Sequence, residues 1–300
     1  MLTGIAAGLA AGALWGMVFV VPRITPGLSS VDLTAGRFVS YASMAALVMA
    51  LTWRSHHMPT VRQALTALGM SLLGATGYYL LLALAIQNAG TEVPTLIIGT
   101  IPIWVMLLGK PLGLTWSSLL PGLVLTAAGL VLMMIAMNPA QPVGGKPGGP
   151  QFWWGVALSS AAMVCWTAFA LLNAAWLKRH REVSATEWAN WLGIATGVGA
   201  MLLWLVAGSD SSTLLALDNI VFLAAICVVT GIGSAWAATI LWNIASQRLS
   251  ASLCGQLIVS ETLFALLYSF VWDGAWPSAL HWLAAVLFTL GIFASIRAHR

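Results

Sequence analysis

Charge is what this chain has least of. Asp, Glu, Lys and Arg make up 7% of its 300 residues, where a soluble domain carries about 25%. So few charges cannot cover a globule with a water-facing surface, which excludes an ordinary soluble enzyme or scaffold. Cysteine is also scarce. Cys165, Cys227 and Cys254 each fall inside an apolar stretch. Their spacing fits neither a disulfide framework nor a metal site, and they read as small packing residues. No basic patch of the nucleic-acid-binding kind is present. No glycine loop suited to cradling phosphate appears, and no His, Asp and Ser set converges. The sequence implies no cofactor and no metal.

What is abundant is apolar length. Hydrophobic residues make up 60% of the chain. A bilayer core about 30 Å thick asks for about 20 mostly apolar residues per helix. The chain divides into ten such segments, predicted at 3–22, 31–53, 62–88, 91–109, 116–137, 152–177, 185–207, 218–246, 250–271 and 279–297. The first lacks a charged leader and is longer than a signal-peptide core, so it reads as a retained helix. Between the fifth and sixth lies 138–151, with four prolines and four glycines in fourteen residues, a linker by composition.

Lysine and arginine set the predicted orientation. With both termini cytoplasmic, the inner loops and the C-terminal end hold nine: Arg54, Arg62, Lys110, Lys178, Arg179, Arg181, Arg248, Arg297 and Arg300. The outer loops hold two, Arg23 and Lys146. Arg37 lies within the second segment, where it either snorkels outward or pairs with Asp32.

The two halves echo each other. Gly4, Ala6, Ala10, Ala11 and Trp15 recur as Gly155, Ala157, Ala161, Ala162 and Trp166, at a constant offset of 151. Ala85 and Gln87 recur as Ala245 and Gln247, at an offset of 160. Five helices per half is an odd number, so the halves thread the membrane in opposite senses. The expected architecture is therefore all-α and ten-helix, with inverted repeats at 1–137 and 152–300 and a periplasmic linker between them. Transporters so built carry their site near the midplane, between the halves.

These features resemble the EamA-like, ten-helix members of the drug/metabolite transporter superfamily. Within it, the chain is similar to the YddG-type exporters of aromatic and neutral amino acids. The resemblance rests on the layout, on Trp15 and Trp166, on the run Ala83-Leu84-Ala85…Ala89…Pro94…Pro102-Ile103, and on Gln256…Ser260-Glu261-Thr262-Leu263-Phe264-Ala265. The family commonly has Glu-Pro where this chain has Glu261-Thr262. The resemblance implies a bacterial inner-membrane carrier that exports small metabolites by alternating access, with no catalytic residue.

The candidate pathway residues follow from polarity and helix breaks. Trp15 and Phe19 share one helical face, and Trp166 repeats Trp15; they either line a cavity or pack on a neighbour. Tyr78 and Tyr79 each need a partner for a hydroxyl in hydrocarbon, so at least one should face protein or water. Pro94 and Pro102, with Ile98 between them, mark a helix whose freed carbonyls must face protein or a cavity. Ser252, Gln256 and Ser260 form a polar stripe at spacing four. Glu261, beside it, is the sole acid deep in an apolar segment. It partners a donor such as Arg37, binds a substrate amino group, or couples transport to protons. Gly4, Gly8, Gly12 and Gly16 form a ladder that lets a neighbouring helix approach closely, and that also permits sliding. Trp53, Trp116, Trp272 and Trp276 fall at helix ends, as interface residues do. Multidrug or nucleotide-sugar transport are the neighbouring readings, and an intramembrane lipid-modifying enzyme is the alternative of another class. The sequence leaves monomer and homodimer open.

Overall fold

The computed structural model describes residues 1–25, 27–54, 58–90, 92–136, 149–274 and 276–300. Among the described residues every regular element is helical. Nine helices among the described residues are long and apolar enough to cross a membrane. Labelled with a shorter apolar helix as α4, they are α1 Leu2–Phe19, α2 Ser30–Thr52, α3 Val61–Ala89, α4 Val93–Leu108, α5 Trp116–Ala136, α6 Pro150–Arg179, α7 Ala185–Ala207, α8 Ile220–Arg248, α9 Ala251–Asp273 and α10 Ala279–Ala298. Most of the predicted linker lies outside the described residues. So do His56, His57, Lys146 and the side chains of Arg23 and Glu92.

The helix starts follow from local chemistry. Thr60 and Ser184 build capping boxes with Gln63 and Glu187, opening α3 and α7. Ser29, Ser250 and Ser278 accept backbone N–H groups at the starts of α2, α9 and α10. Each satisfies a donor that the first helical turn leaves orphaned. Gly274, in the left-handed conformation with φ 60°, closes α9.

Three helices are interrupted. α3 breaks at Ala75, whose φ and ψ are −133° and −91°. α4 is two short pieces, Glu92–Gly99 and Ile101–Leu108. Pro102 in the second piece has no N–H to give the carbonyl four residues back, so the predicted fourth span is broken as well as short. α8 carries a π-helical stretch, Gly231–Ala237, in its middle. Such wide turns occur mostly as local insertions, often at functional sites.

The packing pairs helices far apart in sequence. α2 lies along α7, α5 along α10, α1 against α8 and α9, and α6 against α3 and α4. Replacing each helix by the one five further on maps these packings onto one another. The glycine ladder of α1 is spent on this assembly. A Cβ at Gly4, Gly8, Gly12 or Gly16 would meet Leu249, Leu257, Ser260 or Ala265 at 3 Å or closer. At Gly155 of α6 it would strike Ala89 of α3. These are close approaches that only glycine permits.

Met1, Pro111, Arg248 and Arg300 border a single hollow at one end of the bundle. Gln247 donates to the Val183 carbonyl at 3.2 Å at that same end. The segments expected on the inner side thus gather together. At the other end, Asp32 accepts from Trp204 Nε1 and from the Ser209 backbone, each at 3.0 Å, and from the Ser209 hydroxyl at 2.7 Å. Leu47, Leu68, Val124, Val131, Leu202, Leu205, Phe222 and Leu283 stand exposed along the bundle's outside. In water they would be a liability; in lipid they are the matching surface. Trp53, Trp116, Trp272 and Trp276 are exposed at helix ends, where interface tryptophans belong.

Candidate transport pathway

α9 marks where the interior changes character. Every residue from Ser252 to Ser260 is buried, so its inner portion is enclosed on all sides. From Glu261 to Phe264 the residues are part-exposed. The buried stretch between them spans about 13 Å at 1.5 Å per residue. It separates Glu261 from the hollow of ≈ 380 Å³ lined by Arg248, His299 and Arg300.

Above this plug sits an aromatic cluster drawn from both halves of the chain. The Trp15 ring lies 5.4 Å from Trp242 and 6.4 Å from Trp166, and Trp166 lies 6.2 Å from Trp242. These are edge or tilted contacts, the geometry that aromatic quadrupoles favour. Tyr78 and Ile98 pack, part-buried, against the same core. Tyr78 also meets Tyr79 at 5.1 Å, and Tyr79 meets Phe38 at 5.3 Å.

Two ionisable residues adjoin the cluster. Arg37 is 4% exposed. Its Nη2 donates to Ser234 Oγ at 3.3 Å, and its Nε has no partner. Its guanidinium carbon stands 5.8 Å from the Phe38 ring centre. Arg37 neither snorkels nor pairs with Asp32, because Asp32 is already bonded to Ser29, Trp204 and Ser209. Glu261 lies within electrostatic reach of Arg37, and Tyr78 within reach of Glu261. No ion pair joins Arg37 to Glu261, and no hydrogen bond to the Glu261 carboxylate is present among the described residues.

The expected site residues therefore divide. Trp15, Trp166, Tyr78, Tyr79, Ile98 and Glu261 come together. Pro94 and Pro102 are buried in α4 and shape the helix that carries Ile98. Phe19 is 55% exposed on a 3-10 turn, away from the cluster. Gln256 is committed elsewhere: its Nε2 donates to Thr126 Oγ1 at 2.9 Å, and its Oε1 accepts from Ser295 Oγ at 3.0 Å. It ties α9 to α5 and α10. The Ser260 hydroxyl donates back to the Leu257 carbonyl at 2.6 Å, and the residue packs on Gly12. The polar stripe is thus an assembly seam, with the Ser252 hydroxyl left unpartnered within it.

Three features had no clear signal in the sequence. Trp242 completes the aromatic cluster from the middle of an apolar run. Ser234 reaches Arg37 from the π-helical turn. Asn173 links Asn243 at 3.1 Å and Trp188 Nε1 at 2.6 Å, within the inner part of the second half. Among the described residues no His, Cys, Asp and Glu group could hold a metal ion.

A helical bundle with many membrane-crossing helices and an interior aromatic cluster defines a multi-pass membrane protein. The chain is 30% identical, over 319 aligned positions, to the inner membrane protein YtfF of Escherichia coli strain K12. The alignment spans 99% of this chain and 96% of that one. The chain belongs to the YtfF family, and it is an inner-membrane protein. A solved crystal structure, described only as that of a protein, superposes with a TM-score of 0.77 at 20% identity, covering 98% of each chain. That likeness concerns the fold. No family model matches the chain.

Proposed function

We propose that the protein is a secondary transporter of the drug/metabolite superfamily, an EamA-like carrier of two inverted five-helix repeats at 1–137 and 152–300. It moves small amphipathic metabolites by alternating access, and its cargo is aromatic and other neutral amino acids, carried outward. The termini face the cytoplasm. The observation that carries this reading is the aromatic cluster of Trp15, Trp166, Trp242 and Tyr78, drawn from both halves, beside one acid and one base and above a solid inner plug. Such a set of side chains suits a small molecule with an apolar body and a charged end.

The packing exchange between helices five apart supports the duplication, together with the recurrent Trp15 and Trp166. Discontinuous α3 and α4 and the π turn in α8 belong to the same picture, since irregular backbone within a bilayer is tolerated where it is enclosed by protein or lines a cavity. A nucleotide-sugar carrier would set several cations around two phosphates, whereas among the described residues Arg37 is the single arginine beside the cluster.

The test is flux. Purified protein in liposomes is loaded with labelled phenylalanine, tryptophan or leucine, and efflux is followed with and without unlabelled substrate outside. A carrier gives saturable efflux accelerated by counter-substrate. Flux no greater than that of empty liposomes across a full amino-acid panel rejects the cargo. Flux that neither saturates nor responds to counter-substrate rejects the carrier.

A further inference from the structure

Two charges face the interior without using each other. Arginine presents five N–H donors in a rigid fork. Arg37 uses one, on a neutral hydroxyl, at the long end of the hydrogen-bond range. Ser234 Oγ is itself engaged, donating to the Thr230 carbonyl at 2.7 Å. Nε is buried and bare. A guanidinium held in apolar surroundings without an anion is costly, and one bonded only to a serine is not compensated. Flexibility does not explain it, since the residue is 4% exposed and its helix is tightly fixed there. A Cβ on Gly231 of the π turn would stand 2.5 Å from the Arg37 carbonyl and 2.6 Å from Ser40 Cβ. α2 and α8 are thus locked together at the level of the arginine.

Glu261 has the complementary problem. Its backbone is pressed on α1, because a Cβ on Gly12 would stand 3.0 Å from the Glu261 nitrogen and one on Gly16 3.0 Å from its carbonyl. Its carboxylate lies within electrostatic reach of Arg37, yet forms no ion pair with it. A stable structural pair would close to contact and satisfy both groups. Phe38 lies beside the Arg37 guanidinium, and Phe38, Tyr79 and Tyr78 follow one another in edge contacts.

We propose that Arg37 and Glu261 are the two ends of a zwitterion receptor, Arg37 holding a ligand carboxylate in its fork and Glu261 holding the ammonium group. The tyrosine and tryptophan rings then take the ligand's apolar side chain. This rests on the transport reading above and sharpens it, since it requires both charges on one small molecule. A ligand bearing either charge alone leaves one partner buried and unpaired, and that penalty supplies selectivity.

The experiment compares three molecules of one shape: phenylalanine, its α-carboxamide, which lacks the anion, and 3-phenylpropionate, which lacks the ammonium. Each is scored by counterflow in liposomes and by thermal shift of the detergent-purified protein. The wild type should prefer phenylalanine at least 10-fold over both analogues. Arg37→Gln should abolish the preference over the carboxamide while keeping that over phenylpropionate, and Glu261→Gln should do the reverse. Arg37→Lys, which keeps the charge in the fold, should retain part of the carboxylate preference and covers the case in which Arg37→Gln does not fold. If wild-type protein carries all three equally, or if Arg37→Gln depresses all three alike, the receptor is refuted while transport stands. If none of the three is carried or bound, both the receptor and the amino-acid reading fall.

Discussion

Two sets of polar side chains sit inside the same apolar bundle and are treated in opposite ways. At Gln256 and at Asn173, amides are closed into networks: Thr126, Gln256 and Ser295 in one, Asn173, Asn243 and Trp188 in the other. All six residues are buried, and the Asn243 amide also reaches the Ala185 carbonyl at 3.3 Å. At Arg37 and Glu261 the groups are charged, stronger in their demands, and largely unanswered. Lipid offers no water to repair such a deficit. The closed amide networks fasten helices to one another, whereas the two unanswered charges are the groups that the proposed ligand would satisfy. The same distinction gives Gln256 a structural role in the bundle and makes Arg37 a candidate for the proposed site.

Substitutions can break that contrast. The largest effect is expected at Arg37→Met, which removes a buried charge and keeps its bulk. Flux of a zwitterion should fall at least 100-fold, about 2.7 kcal/mol, while thermal stability holds or rises, because an uncompensated cation has been removed. A marked loss of stability with flux per folded molecule unchanged would make Arg37 a structural residue. Next is Gly12→Leu, which drives a side chain into Ser260 and the Glu261 backbone. Overpacking of this kind costs about 1–3 kcal/mol. Thermal unfolding and flux should fall together, since the same contact positions Glu261. Gln256→Leu should cost about 1–3 kcal/mol by leaving Thr126 and Ser295 without their partner. Transport per folded molecule should be preserved, and a selective loss of flux would return Gln256 to the pathway.

The smallest expected effect lies at the inner end. Burial pushes the His299 imidazole below its usual value, against a smaller opposing effect from its bond to the Ser295 carbonyl. The folded state therefore favours the neutral ring. The stability it supports is present above the ordinary imidazole value of about 6.5 and is lost as pH falls below that. Wild-type melting temperature should drop more between pH 7.5 and 5.5 than that of His299→Asn, and equal drops would assign the pH response to other groups.

Much of the fold was legible because lipid imposes a simple rule on length and polarity. The seventh segment, predicted at 185–207, is found at Ala185–Ala207, since Ser184 and Glu187 mark its start and Gly208 follows its end. The fourth, predicted at 91–109, is found as Glu92–Gly99 and Ile101–Leu108, broken beside Pro102 where the missing N–H interrupts the hydrogen-bond ladder. The π turn in α8 had only Gly231 and Gly233 to hint at it. In the candidate site, Trp15, Trp166, Tyr78 and Glu261 were readable from polarity, symmetry and helix register. Gln256 and Ser260 share a face by their spacing of four, but the spacing does not say what that face meets, and in the structure it meets α5, α10 and Gly12 of α1. Trp242 and Ser234 were unreadable for the same reason, as their roles arise only when α8 packs on α1 and α2.

The outer fastening at Asp32 constrains how the molecule can move. It binds the start of α2 to Trp204 and Ser209 at the end of α7, and lower down Tyr41 donates to the Ala189 carbonyl at 2.6 Å. These helices come from the two halves of the sequence, yet they are fastened at one end through Asp32 and again midway along α2 through Tyr41. In the alternating-access cycle proposed above, α2 and α7 would travel as one piece, so each moving body would contain helices contributed by both halves.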